Sequence, residues 1–198
     1  PAFRFGRGTG GVAASMTSFE FFFSFCGLIL GLSVVEVITG FARAVKARLR
    51  VRIGYLTPMM GLVTLLDLAS FWRNAWTSMQ HVPVGLDTLL IGLAIAGVYF
   101  LAASLIFPDD LDAWPSFDDF YDRHKAWVVG GIWLANMLAG FGLMALLATP
   151  GQYWAAVLSP AALFNMGLHT GLAFTQIFVR NHPVNAAIMV LNGVLYFI

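Results

Sequence analysis

Five stretches of this chain stay apolar for twenty residues or more, Phe19–Gly40, Leu56–Met79, Val84–Phe107, Ala126–Ala148 and Tyr153–Val179, and a sixth, Val184–Ile198, is shorter. About twenty apolar residues in a helix cross the roughly 30 Å hydrocarbon core of a bilayer. Inside that core each backbone N–H and C=O needs a partner within the protein, so a crossing segment is a helix or a strand of a closed barrel. Barrel strands alternate apolar and polar residues over about ten positions, a pattern these runs do not show. Composition agrees: 59% of the residues are hydrophobic and 11% charged, against about a quarter charged in soluble domains, and the mean hydropathy is +0.80. The expected fold is an all-α polytopic membrane bundle of about six transmembrane helices forming one domain, residues 18–198. Residues 1–17 are Gly-rich at their start and read as a flexible tail or an upstream extension, with Met16 as the natural start. The sixth run ends within apolar sequence, so the protein is expected to continue past Ile198.

Lys and Arg set the orientation. Arg43, Lys46, Arg48, Arg50 and Arg52 fall between the first and second runs, which marks that connection as cytoplasmic. Alternation then puts Arg123, Lys125 and Arg180 on the same side, while Gln80–Pro83 and Thr149–Gln152 carry no Lys or Arg. Both termini are therefore expected outside. Arg4, Arg7 and Arg73 run against this pattern.

Asp67 lies near the middle of the second run. A carboxylate at that depth is costly and is normally turned inward for a function. Antiparallel helices joined by a short connection place Glu20 near the level of Arg73, which predicts an ion pair at the outer interface, set against the plainer reading of a snorkelling Arg and an exposed Glu. Glu36 falls near the inner end of the first helix, so three acids occupy outer, middle and inner levels. Asn165 and His169 are four residues apart and share a helix face. With Asn136 in the fourth helix they are candidates to join Asp67 in a polar interior. His169 can carry protons near neutral pH, although a hydrogen-bonded packing histidine is the commoner fate of such a residue.

Small residues recur every fourth position at Gly27 and Gly31, at Gly131, Ala135 and Ala139, and at Gly167 and Gly171. Such stripes let helices approach closely. They are expected to pack within the bundle first, with a homo-oligomer contact as the alternative.

Other chemistries find little support. Of the four histidines only His169 is deep, so a haem has no second axial ligand, and no His or Cys cluster has zinc-ligand spacing. No metal or other cofactor and no catalytic residue is assigned. The net charge of +1 gives no basic surface for nucleic acid. Cys26, the single cysteine, reads as a small buried hydrophobe. The acidic, aromatic stretch FPDDLDAWPSFDDFYDRHK lacks the glycine of a calcium loop. It reads as a solvated loop, with contact to the basic Arg43–Arg52 segment as the alternative. Phosphate-cradling loops, nucleophile elbows and metalloprotease motifs are missing too.

The stretch MTSFEFFFSFCGLILGLSVVEVITGFARAVKAR, the aromatic SFWRNAW and the IFPDD after the third run together resemble a family of small bacterial multi-pass inner-membrane proteins, over about Met16 to Lys125. The resemblance implies a bacterial inner-membrane location with membrane lipids as partners, and it carries no activity or site residue. The leading expectation for function is proton or small-cation passage through a polar interior formed by Asp67, His169, Asn165, Asn136 and Glu36, in a homo-oligomer. The alternative is an accessory or assembly subunit of a larger membrane complex. An enzyme using Asp67 and His169 as an acid/base pair on a lipid-phase substrate comes third, for want of a nucleophile.

Overall fold

The computed structural model describes residues 18–78, 80, 85–142, 144–145 and 148–197. The expectations for the tail 1–17, for His81–Pro83 and for the chain beyond Ile198 lie outside them. Seven α-helices and no strand are found among the described residues. They are α1 (Ser18–Ala47), α2 (Leu56–Ser78), α3 (Leu86–Ser104), α4 (Phe117–Met137), α5 (Pro150–Val157), α6 (Pro160–Phe178) and α7 (His182–Leu195), and α4 continues into one π turn, Leu138–Gly142.

Several boundaries differ from the apolar runs, for local reasons. α1 continues past Gly40 to Ala47 because Arg43 and Lys46 are good helix formers and cations favour a helix C-terminus. α4 begins at Phe117, nine residues before the apolar run. Ser116 Oγ accepts from the Asp119 N–H at 3.2 Å, and Asp118 and Asp119 sit in the first turn, where the helix dipole favours anions. The expected single span Tyr153–Val179 is two helices bent by 59°. Pro160 cannot donate to the preceding turn and holds Ser159 out of helical geometry, and Ser159 Oγ then caps α6 through the Ala162 N–H at 3.3 Å. α7 starts at His182, capped by Asn181, and ends at Leu195.

The contacts set the helix directions. Gly92 of α3 lies against Phe22 and Cys26 of α1, and Gly40 of α1 against Phe107, just beyond the end of α3, so α1 and α3 run parallel. Phe23 packs on Trp72, and Phe41 on Gly61, so α2 is antiparallel to both. α4 packs on α3 through Gly131 and Ala102, α7 lies along α2, and α6 lies along α4. Buried positions on α1 (Phe22, Cys26, Leu30, Ser33, Val37, Ala44, Ala47) recur every three or four residues, one helical stripe. The opposite faces are apolar but open: Leu28, Leu101, Trp127, Phe164 and Phe178 are all exposed. An outer surface this apolar is suited to lipid.

Two helices, α1 and α3, are long and apolar enough to cross a membrane, and the bent α5–α6 pair makes a third if it forms one span. α2 contains Asp67 and Arg73, α4 has a charged first turn, and α7 has 14 residues. The protein is thus a helical bundle suited to membrane association.

At the basic end, the backbone folds the connections together. Phe117 N–H donates to Arg52 O at 3.0 Å. Gly54 has φ +65, a conformation open to glycine, and its missing side chain leaves room for Asp118, whose Oδ1 accepts from the Leu56 N–H at 3.0 Å. Thr57 Oγ1 donates to Phe117 O at 2.7 Å. The acidic stretch therefore caps α2 from 62 residues away, where a solvated loop was the expectation.

Candidate functional site

α2 turns Thr64 and Asp67, three residues apart, to its buried face, and Asp67 is 2% exposed. Asn136 of α4 reaches it: the Nδ2 amide donates to Asp67 Oδ1 at 3.2 Å and Oδ2 at 3.3 Å, and to its own Ile132 O at 3.0 Å. One NH2 group has two hydrogens for these three acceptors, so the carboxylate is under-supplied with donors from this side. The Tyr196 hydroxyl approaches the carboxylate from the end of α7, and His169 of α6 is within electrostatic reach. Tyr99 of α3 completes the ring. It is fully buried, its ring stands edge-on to Phe71 at 5.2 Å, one turn along α2 from Asp67, and its hydroxyl lies beside the carboxylate. That hydroxyl nevertheless makes no well-formed hydrogen bond with any protein group.

Ser33 belongs to the same layer. The α1–α3 contacts Cys26–Gly92 and Gly40–Phe107 match residues 66 or 67 apart in sequence, which sets Ser33 level with Tyr99. Ser33 is fully buried on the α3-facing stripe, and its Oγ also has no protein partner. Thr64 is satisfied by its own helix, donating to Met60 O at 2.9 Å. On the far side, Trp133 Nε1 donates to Thr170 Oγ1 at 3.1 Å, tying α4 to α6 beside His169. Polar side chains of α3 and α4 and from the end of α7 thus meet at one buried carboxylate of α2, with His169 of α6 within reach and Ser33 of α1 at the same level.

Other predicted residues go elsewhere. Glu36 is half-buried and pairs with Arg43 at 3.4 Å, and Arg43 also meets the exposed Asp109 at 3.1 Å. Glu36 therefore belongs to the basic end and not to the Asp67 layer. Asn165 is exposed on α6 although His169, four residues on, is half-buried, because the face they share lies at the edge of the helix contact. Glu20 and Arg73 are both exposed. At that end of α1 and α2 the packing is aromatic, with Phe19 and Phe23 edge-on to Trp76 and Trp72. The small-residue stripes divide. Gly27 takes the Trp72 ring and Gly131 takes Ala102, whereas Gly167 and Gly171 face open space, contrary to the expectation of packing within the bundle.

A second polar group at the basic end went unpredicted. Lys125, 5% exposed, donates through Nζ to Asp122 Oδ1 at 3.1 Å and Val179 O at 2.6 Å. His182 Nε2 is 2.8 Å from Asp122 Oδ2. Tyr121 donates to Asn185 Oδ1 at 3.1 Å and accepts from Gln176 Nε2 at 3.3 Å. Burial pushes the Tyr121 phenol up. Burial also acts to raise Asp122, but the hydrogen bonds from His182 and Lys125 outweigh it and hold the carboxyl below its usual range. This network ties the start of α4 to the α6–α7 turn.

An apolar crevice near the other end, lined by Phe22, Phe23, Cys26, Gly27 and Trp72 among others, contains no polar group to orient a ligand. Among the described residues no group of three or more His, Cys, Asp and Glu is placed to hold a metal. No protein-family model, curated protein or solved structure matches the chain.

Proposed function

We propose that the chain is a six-pass protein of the bacterial inner membrane, with both termini outside, that passes protons or small monovalent cations through the layer centred on Asp67. One observation carries this reading: a carboxylate 2% exposed is met by Asn136 of α4, Tyr99 of α3 and Tyr196 at the end of α7, with His169 of α6 within reach. A packing role asks only that a buried charge be paired and saturated. Here the carboxylate is met by neutral donors, an amide shared with Ile132 O and the phenols of Tyr196 and Tyr99. The described ion pairs give it no Lys or Arg, which suits a group that takes up and releases a proton or a cation. The half-buried Asn136, His169 and Tyr196 give it an edge toward the α4, α6 and α7 side. Alternating access to that edge and to the opposite face is the movement that passage requires. Reconstitution into liposomes with a pH-sensitive dye, under an imposed potential, tests the reading: wild type dissipates the gradient and Asp67→Asn does not. No flux from wild type, or equal flux from both, overturns it.

A second reading, an accessory subunit or a homo-oligomer, is supported by α6, where Asn165, Gly167 and Gly171 are exposed and the two glycines have nothing within 4 Å. An exposed amide in hydrocarbon favours a protein neighbour. Purification in mild detergent separates the two forms, a single chain at fixed multiple mass against stoichiometric foreign subunits.

A further inference from the structure

The Asp67 layer contains two fully buried hydroxyl oxygens that make no well-formed hydrogen bond: Ser33 Oγ, and Tyr99 Oη, which lies beside the Asp67 carboxylate. Buried hydroxyls are almost always hydrogen-bonded, and leaving one unmade costs about 1–3 kcal/mol. Two such groups lie at one level, from helices packed face to face. Both are neutral oxygens with lone pairs, and one lies beside the Asp67 carboxylate. A proton needs a carboxylate alone. A hard cation needs several oxygens at once, a net negative charge and shelter from competing water.

We propose that Asp67, Tyr99 and Ser33 form a binding site for one dehydrated monovalent cation of sodium size. Asp67 supplies the charge that balances it, and Tyr99 Oη and Ser33 Oγ supply neutral oxygens in place of hydration water. The single carboxylate sets the valence, since a divalent ion would leave a net positive charge in the bundle interior. Asn136 is the natural fourth contributor. Its Nδ2 now faces both Asp67 oxygens, and rotation of the amide by half a turn presents Oδ1 to a cation instead. Asn136 thus answers to the charge of its neighbour, donating to the bare carboxylate and accepting the ion. The inference rests on the passage reading and specifies its cargo.

The test uses the full chain in detergent at constant ionic strength, exchanging choline chloride for sodium chloride and following the melting temperature. A ligand that binds the folded state raises that temperature in a saturable way. Wild type and the distant exposed variant Asp112→Asn are expected to show saturable stabilisation by sodium, and Asp67→Asn none. Ser33→Ala and Tyr99→Phe, both monodisperse on gel filtration, are expected to require about tenfold more sodium for half-effect, the loss that follows removal of one contact to a charge. Absence of a sodium effect in wild type, or an unchanged half-effect in both hydroxyl variants, overturns the site. Liposome flux separates the two levels of the argument. Asp67-dependent proton flux that is indifferent to sodium overturns the cation site and leaves passage standing, whereas sodium stabilisation without any flux upholds the site and overturns passage.

Discussion

Asp122 shows how one carboxyl can lock the basic end of the bundle. Its Oδ1 takes Lys125 Nζ at 3.1 Å and its Oδ2 takes His182 at 2.8 Å, while the same Lys125 holds Val179 O at 2.6 Å. These contacts favour the ionised form, so the folded state binds the Asp122 proton less tightly than the unfolded chain does. A carboxyl lowered in this way contributes stability that is present above its unfolded value, about 4, and is lost as pH falls through its folded value. Asp122 is about a third exposed, so solvent screens the effect and the contribution is modest. Acidification from pH 7 to below 4 is therefore expected to lower the melting temperature of wild type more than that of Asp122→Asn. The variant starts lower at neutral pH, because Lys125 is left buried with one partner fewer. Equal acid sensitivity in the two proteins would assign the acid limb to other carboxyls. None of this network was visible in the apolar runs. Asp122, Lys125 and His182 lie up to 60 residues apart, and they read as solvated charges until the α6–α7 turn is brought onto α4.

Glycine sorts the helix contacts into close and open ones. A Cβ at Gly92 of α3 would meet Cys26 Sγ at 2.6 Å and the Phe22 ring at 2.9 Å, inside the most intimate pairing in the bundle. A Cβ at Gly167 of α6 would meet nothing within 4 Å. Gly92→Ala is therefore expected to destabilise by about 1–3 kcal/mol, the usual cost of overpacking. Gly167→Ala is expected to be neutral or to gain up to about 1 kcal/mol from helix propensity, and detergent melting of the two variants beside wild type measures both. Sequence spacing alone treated these positions alike, since a four-residue repeat fixes a shared face and not what the face meets. The same limit explains Asn136 and Asn165. Both sit in apolar helices, yet only Asn136 is turned to Asp67, because rotation of a helix about its axis is set by its neighbours. What the residues did reveal was the cost of Asp67, and burial at 2% with an amide partner is consistent with that cost. Tyr99 was missed because a phenol inside VYFLAA counts as apolar bulk, although its hydroxyl is the principal polar atom at the middle of α3. Ser159 followed by Pro160 is a helix-start signal that the surrounding hydropathy masked.

At the scale of the molecule, the all-helical character was legible because apolar runs of membrane length leave few other solutions, whereas the number of crossings is less direct. α1 and α3 qualify by length and composition, and the α5–α6 pair qualifies only as a bent whole. α2 and α4 spend part of their length on inward or capping polar residues, which lowers their apparent apolarity without changing the direction in which they run. α1 and α3 run one way and α2 the other, and α4 starts at the basic end, where Phe117 is bonded to Arg52. If every pass is complete, the basic segment around Arg48 and the start of α5 around Gly151 lie on opposite sides of the bilayer, separated by three crossings. Single cysteines test this in a Cys26→Ala background, chosen because Cys26 is the sole native thiol. Arg48 and Gly151 are both exposed, and Gly151 has no neighbour within 4 Å. A membrane-impermeant maleimide is expected to label Gly151→Cys in intact cells and Arg48→Cys only after permeabilisation, because Lys and Arg are retained on the cytoplasmic side. Labelling of both from outside, or the reverse pattern, would mean that the charge bias does not set the orientation or that one of α2, α3 and α4 fails to cross. In the latter case Asp67 would lose its midplane depth, and the passage reading with it.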